Sequence, residues 1–149
     1  MFMAFSYISE GNYATVGSIG GSSYPMLRFF QLDDASPRNI RIEGKNASNV
    51  TVSTATGSDV SVGSLYIGSV VNESPYITQY LNGLSDAAGD DYDFGDYSID
   101  RLVLGASSAA GTPANCYIAE VVFYNRAVSE GERKRVENYL GRKYGNIMP

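Results

Sequence analysis

The chain contains no histidine, no tryptophan and a single cysteine, Cys116. Without histidine there can be no Ser-His-Asp or Cys-His nucleophile. There is also no imidazole metal ligand and no side chain that ordinarily titrates near neutrality as a proton shuttle. One cysteine cannot close a disulfide within the chain, so the cysteine count points to no redox compartment. Cys116 has no imidazole to activate it and is expected as a small, buried or half-buried residue beside a strand. Positive charge is scarce too: 11 Lys and Arg stand against 16 Asp and Glu, a net charge of −5. Such a surface repels phosphate backbones, so no nucleic-acid partner is expected. No stretch approaches the roughly 18 apolar residues of a membrane span, so no membrane partner is expected either. Met1 to Phe5 is apolar but lacks the basic start and long apolar core of a signal peptide. Synthesis in a cytoplasm is the expectation.

What is present is apolar and strand-like. At 149 residues and 44% hydrophobic the chain can bury a core, and one domain over 1–149 is expected. Phe2 to Ile8 reads as a buried strand, and Tyr13 to Ile19 and Met26 to Leu32 as two more. Three segments then alternate with period two: Ile40 and Ile42, Val50 and Val52, Val60 and Val62. Leu65 to Val71 is more continuously apolar, as a central strand would be. Tyr76 to Leu81 runs into Asn82-Gly83, a pair that accepts positive φ at both turn positions and signals a hairpin. The stretch Leu84-Ser-Asp-Ala-Ala-Gly89 after it is not β-like. Tyr97 to Gly105 and Tyr117 to Tyr124 complete about ten strands between about 2 and 124, separated by Gly, Ser, Asn and Asp. The spacing favours an antiparallel sandwich or jelly roll over any βαβ fold.

One helix, about 129–144, closes the chain. Ser129 and Glu132 have the S-x-x-E spacing of a capping box. Val136, Tyr139, Leu140 and Tyr144 form one apolar stripe. Arg142 and Lys143 suit the negative end of the helix dipole, and Gly145 suits the left-handed cap. Gly131 and Gly141 are unfavourable inside it.

The strand Ile118-Ala-Glu-Val-Val-Phe-Tyr124, the capping segment after it and Tyr139-Leu-Gly-Arg-Lys-Tyr-Gly145 resemble the C-terminal end of concanavalin A-like (laminin-G-like) jelly-roll domains. Tyr80-Leu-Asn-Gly83 and Leu102-Val-Leu-Gly105 resemble the same family, so the likeness covers roughly 60 to 145. It implies an all-β antiparallel jelly-roll sandwich with one C-terminal α-helix, of the kind found in phage virion and bacterial surface proteins. Domains of that family often carry further strands before the position where Met1 sits. The first strand is therefore expected to leave an open apolar edge that another chain could cover.

Some members of that fold superfamily hydrolyse glucans with paired carboxylates, and retaining hydrolysis needs the pair about 5 Å apart. The E-x-D-x-x-E pattern is missing here. Glu120 stands alone, expected on an outer face or paired with Arg126. No catalytic residues, and so no enzyme, are expected. The densest charge feature is the run Asp86, Asp90, Asp91, Asp93, Asp96 and Asp100. It superficially resembles a calcium loop, but Gly95 stands where the third ligand would be and no closing Glu follows. No metal site is assigned, and calcium is the one cofactor the run could take. Candidate ligand contacts are Tyr76, Tyr80, Asp91, Tyr92, Asp93, Asp96 and Tyr97, because tyrosines stack on sugar rings or anchor interfaces. Two function classes remain open. One is a non-enzymatic structural protein of a phage particle (a capsid decoration, fibre or tail component), located in the virion and partnered by its own copies or by capsid or tail proteins. The other is a lectin-like carbohydrate-binding module with glycan partners, at a cell surface as part of a larger assembly.

Overall fold

The computed structural model describes residues 1–9, 14–20, 26–32, 39–45, 51–73, 76–89, 101–106 and 113–146. They form ten strands and one helix: β1 (Phe2–Tyr7), β2 (Thr15–Gly20), β3 (Met26–Leu32), β4 (Asn39–Lys45), β5 (Thr51–Asp59), β6 (Tyr66–Glu73), β7 (Tyr76–Leu81), β8 (Leu84–Gly89), β9 (Arg101–Leu104), β10 (Cys116–Val122) and α1 (Glu130–Tyr144). Two five-stranded antiparallel sheets stack as a jelly-roll sandwich. Sheet A runs β10-β1-β6-β7-β8, and sheet B runs β5-β4-β3-β2-β9.

The main core lies between the sheets. Met3, Phe5 and Tyr7 of β1 meet Leu27, Phe29, Phe30 and Leu32 of β3 and Ile40 and Ile42 of β4 there. Strand β1 is apolar from Phe2 to Phe5 because both of its faces are buried there. Its alternate residues Phe2 and Ala4 point the other way, where with Ile67 and Leu140 they form a second, smaller core under α1. The helix begins as its capping box requires: Ser129 accepts from the Glu132 amide, and the Glu132 side chain reaches back to Ser129. It ends on Gly145 at φ 80.

The hairpin signal holds. Asn82 and Gly83 take φ 51 and φ 86 and join β7 to β8. Central placement of the Leu65–Val71 segment holds as well, since β6 is the middle strand of sheet A. Four local expectations do not. Leu84 to Gly89 is a strand despite its composition. Pairing with β7 supplies its backbone partners, and Asp86 Oδ1 accepts from the Ser58 amide of β5 (2.7 Å), tying the two sheets along that edge. The alternating Val60 and Val62 do not extend a strand. Strand β5 stops at Asp59, opposite Asn39, and Gly63 turns the chain at φ 81.

The first strand is not an open edge: β1 is hydrogen-bonded to β10 on one side and β6 on the other. The returning β10 occupies the edge that the sequence left unpartnered, and the argument for a covering chain falls with it. The helix also departs from its expected stripe at Tyr139. Leu140 is buried and Val136 and Tyr144 pack against the second core, but Tyr139 is half exposed, and Arg133, Glu137 and Gly141 are buried as well. A polar contact accompanies the difference. Arg133 pairs with Glu137 (2.6 Å) and lies over the Tyr80 ring, and Ser69 Oγ donates to Glu137 (2.6 Å). Gly141 is buried where the helix rests on the sheet, which accounts for a glycine inside it.

Candidate functional site

The two sheets differ on the faces they turn away from the main core. In sheet A that face is covered by α1. In sheet B it carries charged and polar side chains, set in rows by the strand register. Glu43 of β4 pairs across to Arg28 of β3, which pairs across to Ser18 of β2. Arg41, Gln31 and Thr15 form the second row. Cross-strand partners share a face, so these six residues lie side by side. Arg101 of β9 pairs with Gly20, two residues beyond Ser18, and so sits on the same face.

Within the cluster both guanidinium groups converge on one carboxylate. Arg28 Nη1 donates to Glu43 Oε1 at 2.8 Å and Arg41 Nη2 to Glu43 Oε2 at 2.9 Å. Arg41 Nε also donates to Gln31 Oε1 at 3.2 Å. The site is recessed: the Arg28, Arg41 and Glu43 side chains are 10%, 13% and 8% exposed, and Thr15, Ser18 and Gln31 are fully buried. Charges at such burial need partners, and Glu43 is one partner of each arginine. The arrangement gathers two guanidinium forks, a carboxylate and an amide on neighbouring strands. That is the donor set for a small polar ligand carrying a carboxylate, because guanidinium binds carboxylate in a bidentate, planar way.

Of the residues singled out in the sequence, Tyr76 and Tyr80 fall elsewhere. Tyr76 is exposed at the start of β7. Tyr80 lies further along β7, with the Arg133 guanidinium 3.8 Å from its ring centroid, so that face of the ring is already stacked. Both belong to sheet A and are not brought to the Arg28–Glu43 cluster. Asp91, Tyr92, Asp93, Asp96 and Tyr97, and with them the calcium reading of that run, lie outside the described residues. Among the described residues, no group of three or more His, Cys, Asp or Glu could hold a metal. No helix there is long and apolar enough to cross a membrane.

Glu120 is paired, but not with Arg126. It accepts from Lys143 (2.9 Å), Tyr144 (3.0 Å) and Tyr139 (3.3 Å), and the Lys143 hydrogen bond foremost holds its carboxyl below the usual range. Arg126 turns instead to Glu132 (2.6 Å) at the helix start. Cys116 is half-buried against the main core, and burial pushes its thiol pKa up. An apolar cavity of about 250 Å³ opens where the two sheets part, between Met1, Leu27, Phe29, Val70 and Phe123.

Sequence reading missed Arg28, Gln31, Arg41 and Glu43. A signal was available. Arg28 and Gln31 are the two polar residues of the otherwise apolar Met26–Leu32 strand, and Arg41-Ile-Glu43 puts opposite charges on one strand face. Aromatic and acidic loops drew the reading away from it.

No protein-family model matches this chain, and no curated protein does either. Solved structures do. The CBM40 domain of the Ruminococcus gnavus IT-sialidase superposes with a TM-score of 0.64 at 15% identity, over 91% of this chain and 80% of that one. The same domain bound to α2,6 sialyllactose gives a TM-score of 0.64 at 16% identity, again over 91% and 80%. A Trypanosoma rangeli sialidase in complex with 2,3-difluorosialic acid gives 0.67 at 14% identity, over 96% of this chain and 22% of that one. At these identities the likeness is one of fold. The chain has the lectin-like jelly-roll fold of sialidase-associated carbohydrate-binding domains.

Proposed function

We propose that this chain is a carbohydrate-binding module, and that it takes a carboxylated sugar of the sialic-acid type on the outer face of sheet B. One observation carries the reading: Arg28 and Arg41 converge with Glu43 and Gln31 in a recessed patch. A sialic acid bears a carboxylate at neutral pH, and a guanidinium fork is its natural partner. Glu43 and Gln31 can accept from sugar hydroxyls. The chain as a whole is acidic, so an anionic sugar must find its positive charge locally, and this patch supplies it. The solved structures of like fold favour sugar binding over a virion role, since they include a sialidase CBM40 domain and the same domain bound to sialyllactose.

Titration of the protein with sialyllactose, with lactose as the neutral control, tests the reading. Sialyllactose should bind with a dissociation constant of about 1 mM or tighter, and lactose should not saturate. Arg41→Gln should weaken sialyllactose binding by roughly tenfold to a hundredfold, the effect of one charge-assisted hydrogen bond. Tyr76→Ala, on the other sheet, should leave it unchanged. Equal binding of the two sugars, or full affinity in folded Arg41→Gln, would sink the proposal.

A further inference from the structure

Arg28 and Gln31 are three residues apart on one strand, so in an unbroken strand they would face opposite sides. Yet both point away from the core, toward Glu43 and Arg41. The reason is a bulge. Between those pairings, Phe29 and Phe30 span what Ile42 alone spans on β4. Both phenyl rings enter the main core, and Phe30 takes φ 52, a left-handed conformation rare for a bulky residue.

The bulge is held from the opposite sheet. The Phe30 amide donates to Gln79 Oε1 at 3.1 Å, and the Tyr7 hydroxyl donates to the Phe30 carbonyl. Gln79 is itself oriented, because its Nε2 donates to Asp86 Oδ2 at 2.9 Å while Asp86 Oδ1 accepts from the Ser58 amide. Below the Phe30 ring lies Gly68, where a Cβ would stand 2.4 Å from the ring. Gln79 is fully buried on the core side of β7, where an apolar residue of that size would fill the space with no polar group to desolvate.

We infer that Gln79, with Tyr7 and Asp86 beside it, is a positioning residue for sugar recognition: from inside the sandwich it locks the Phe29–Phe30 bulge that turns Arg28 and Gln31 onto one outer face. The inference rests on the sheet B reading above for its ligand, but not for its geometry. None of the three residues touches the outer face. A polar chain therefore runs through the main core from the β5–β8 edge to β3, the strand that presents Arg28 and Gln31.

Two readouts test it together: the sialyllactose dissociation constant measured on folded protein, and the Nε–H resonances of Arg28 and Arg41 by NMR. Gln79→Met should weaken binding about tenfold or more, the loss expected when one charge-assisted contact is misplaced, and should shift both arginine resonances. The exchanged double variant Gln79→Glu with Asp86→Asn keeps every hydrogen bond, since a carboxylate at 79 can accept from Phe30 and from the new amide at 86. It should restore both readouts. Ile77→Val, a core truncation on the same strand, should lower the melting temperature and move neither readout, which separates positioning from stability. If Gln79→Met does not fold, Tyr7→Phe decides, because it removes one hydroxyl from the same bulge and should shift the arginine resonances. Unmoved resonances with full affinity in folded Gln79→Met, or in Tyr7→Phe, overturn the inference. If the wild type binds no sugar, the functional reading fails by itself, and the arginine resonances alone still judge the positioning.

Discussion

The sandwich buries an Arg–Glu contact on each of its outer faces, and the two are built differently. On sheet A the pair is Arg133–Glu137, one turn apart on α1, with Ser69 and Tyr80 of the sheet closing around it. Everything in that contact comes from the helix and the surface it covers, and it sits beside the apolar contact of Leu140 with Phe2, Ala4 and Ile67. On sheet B the pair is a trio, with Arg28 and Arg41 on Glu43, set on neighbouring strands whose spacing the register dictates. The first contact fixes where a helix lies. The second gathers two guanidinium groups on one carboxylate at a fixed separation. The element that carries the charge makes the difference: a helix can turn to bury its pair, while a strand presents what register and a bulge give it.

If that contrast is right, the two faces should break in different ways. Glu137→Leu leaves Arg133 buried beside Tyr80 without its carboxylate and should cost about 3–5 kcal/mol of unfolding free energy. The folded fraction should still bind sialyllactose as the wild type does. Urea unfolding followed by circular dichroism, with titration below the transition, measures both. A loss of affinity in the folded fraction would mean the helix face contributes to the site.

Leu140→Ala removes the one fully buried apolar side chain of α1 and should cost about 2–5 kcal/mol, a spread that depends on how far Phe2 and Ile67 close the gap. A change below about 1 kcal/mol in the same measurement would show that the helix is held mainly by its polar contact.

The smallest effect is the response of the helix start to acid. Arg126, with the Ser129 hydrogen bonds, lowers the Glu132 pKa from 4.5 to about 2. A depressed carboxyl stabilises the folded state above its unfolded pKa and loses that contribution as pH falls through the folded value. The contribution should thus be complete above about pH 5, decline between 4.5 and 2, and be gone below 2. The protection factors of the Glu132 and Arg133 amides, measured across that window, should fall in the wild type. In Arg126→Gln the folded pKa lies closer to 4.5, so the fall should be smaller and finish at higher pH. A profile unchanged by that substitution would remove Arg126 from the cap.

Much of this structure was legible in the chain. The period-two alternation of Ile40 and Ile42, the Asn82-Gly83 turn and the capping residues Ser129 and Glu132 are local signals, decided by residues a few positions apart, and each was found where expected. The failures were non-local. Leu84–Gly89 has weak strand propensity, but β7 pairs with it and Asp86 accepts from the Ser58 amide of β5 in the facing sheet, and pairing outweighs propensity in sheets. Tyr139 fits the apolar stripe by spacing alone, but it is half exposed, while Arg133 and Glu137 are buried against Tyr80 and Ser69. The Arg28–Glu43 cluster was harder still. Arg28 and Gln31 share a side only because of a bulge whose hydrogen bonds come from Tyr7 and Gln79, far away along the chain.

Composition and local pattern alone determined that this is a histidine-free, acidic, strand-rich chain that ends in a capped helix. They excluded imidazole chemistry and made two-layer packing the economical way to bury so many alternating apolar residues. Tertiary structure alone decided which strand closes the edge at β1, which side chains the helix hides, and which polar side chains stand together on sheet B. Those outcomes depend on register and on contacts between distant segments, and a one-residue shift in register reverses the face of every side chain that follows it.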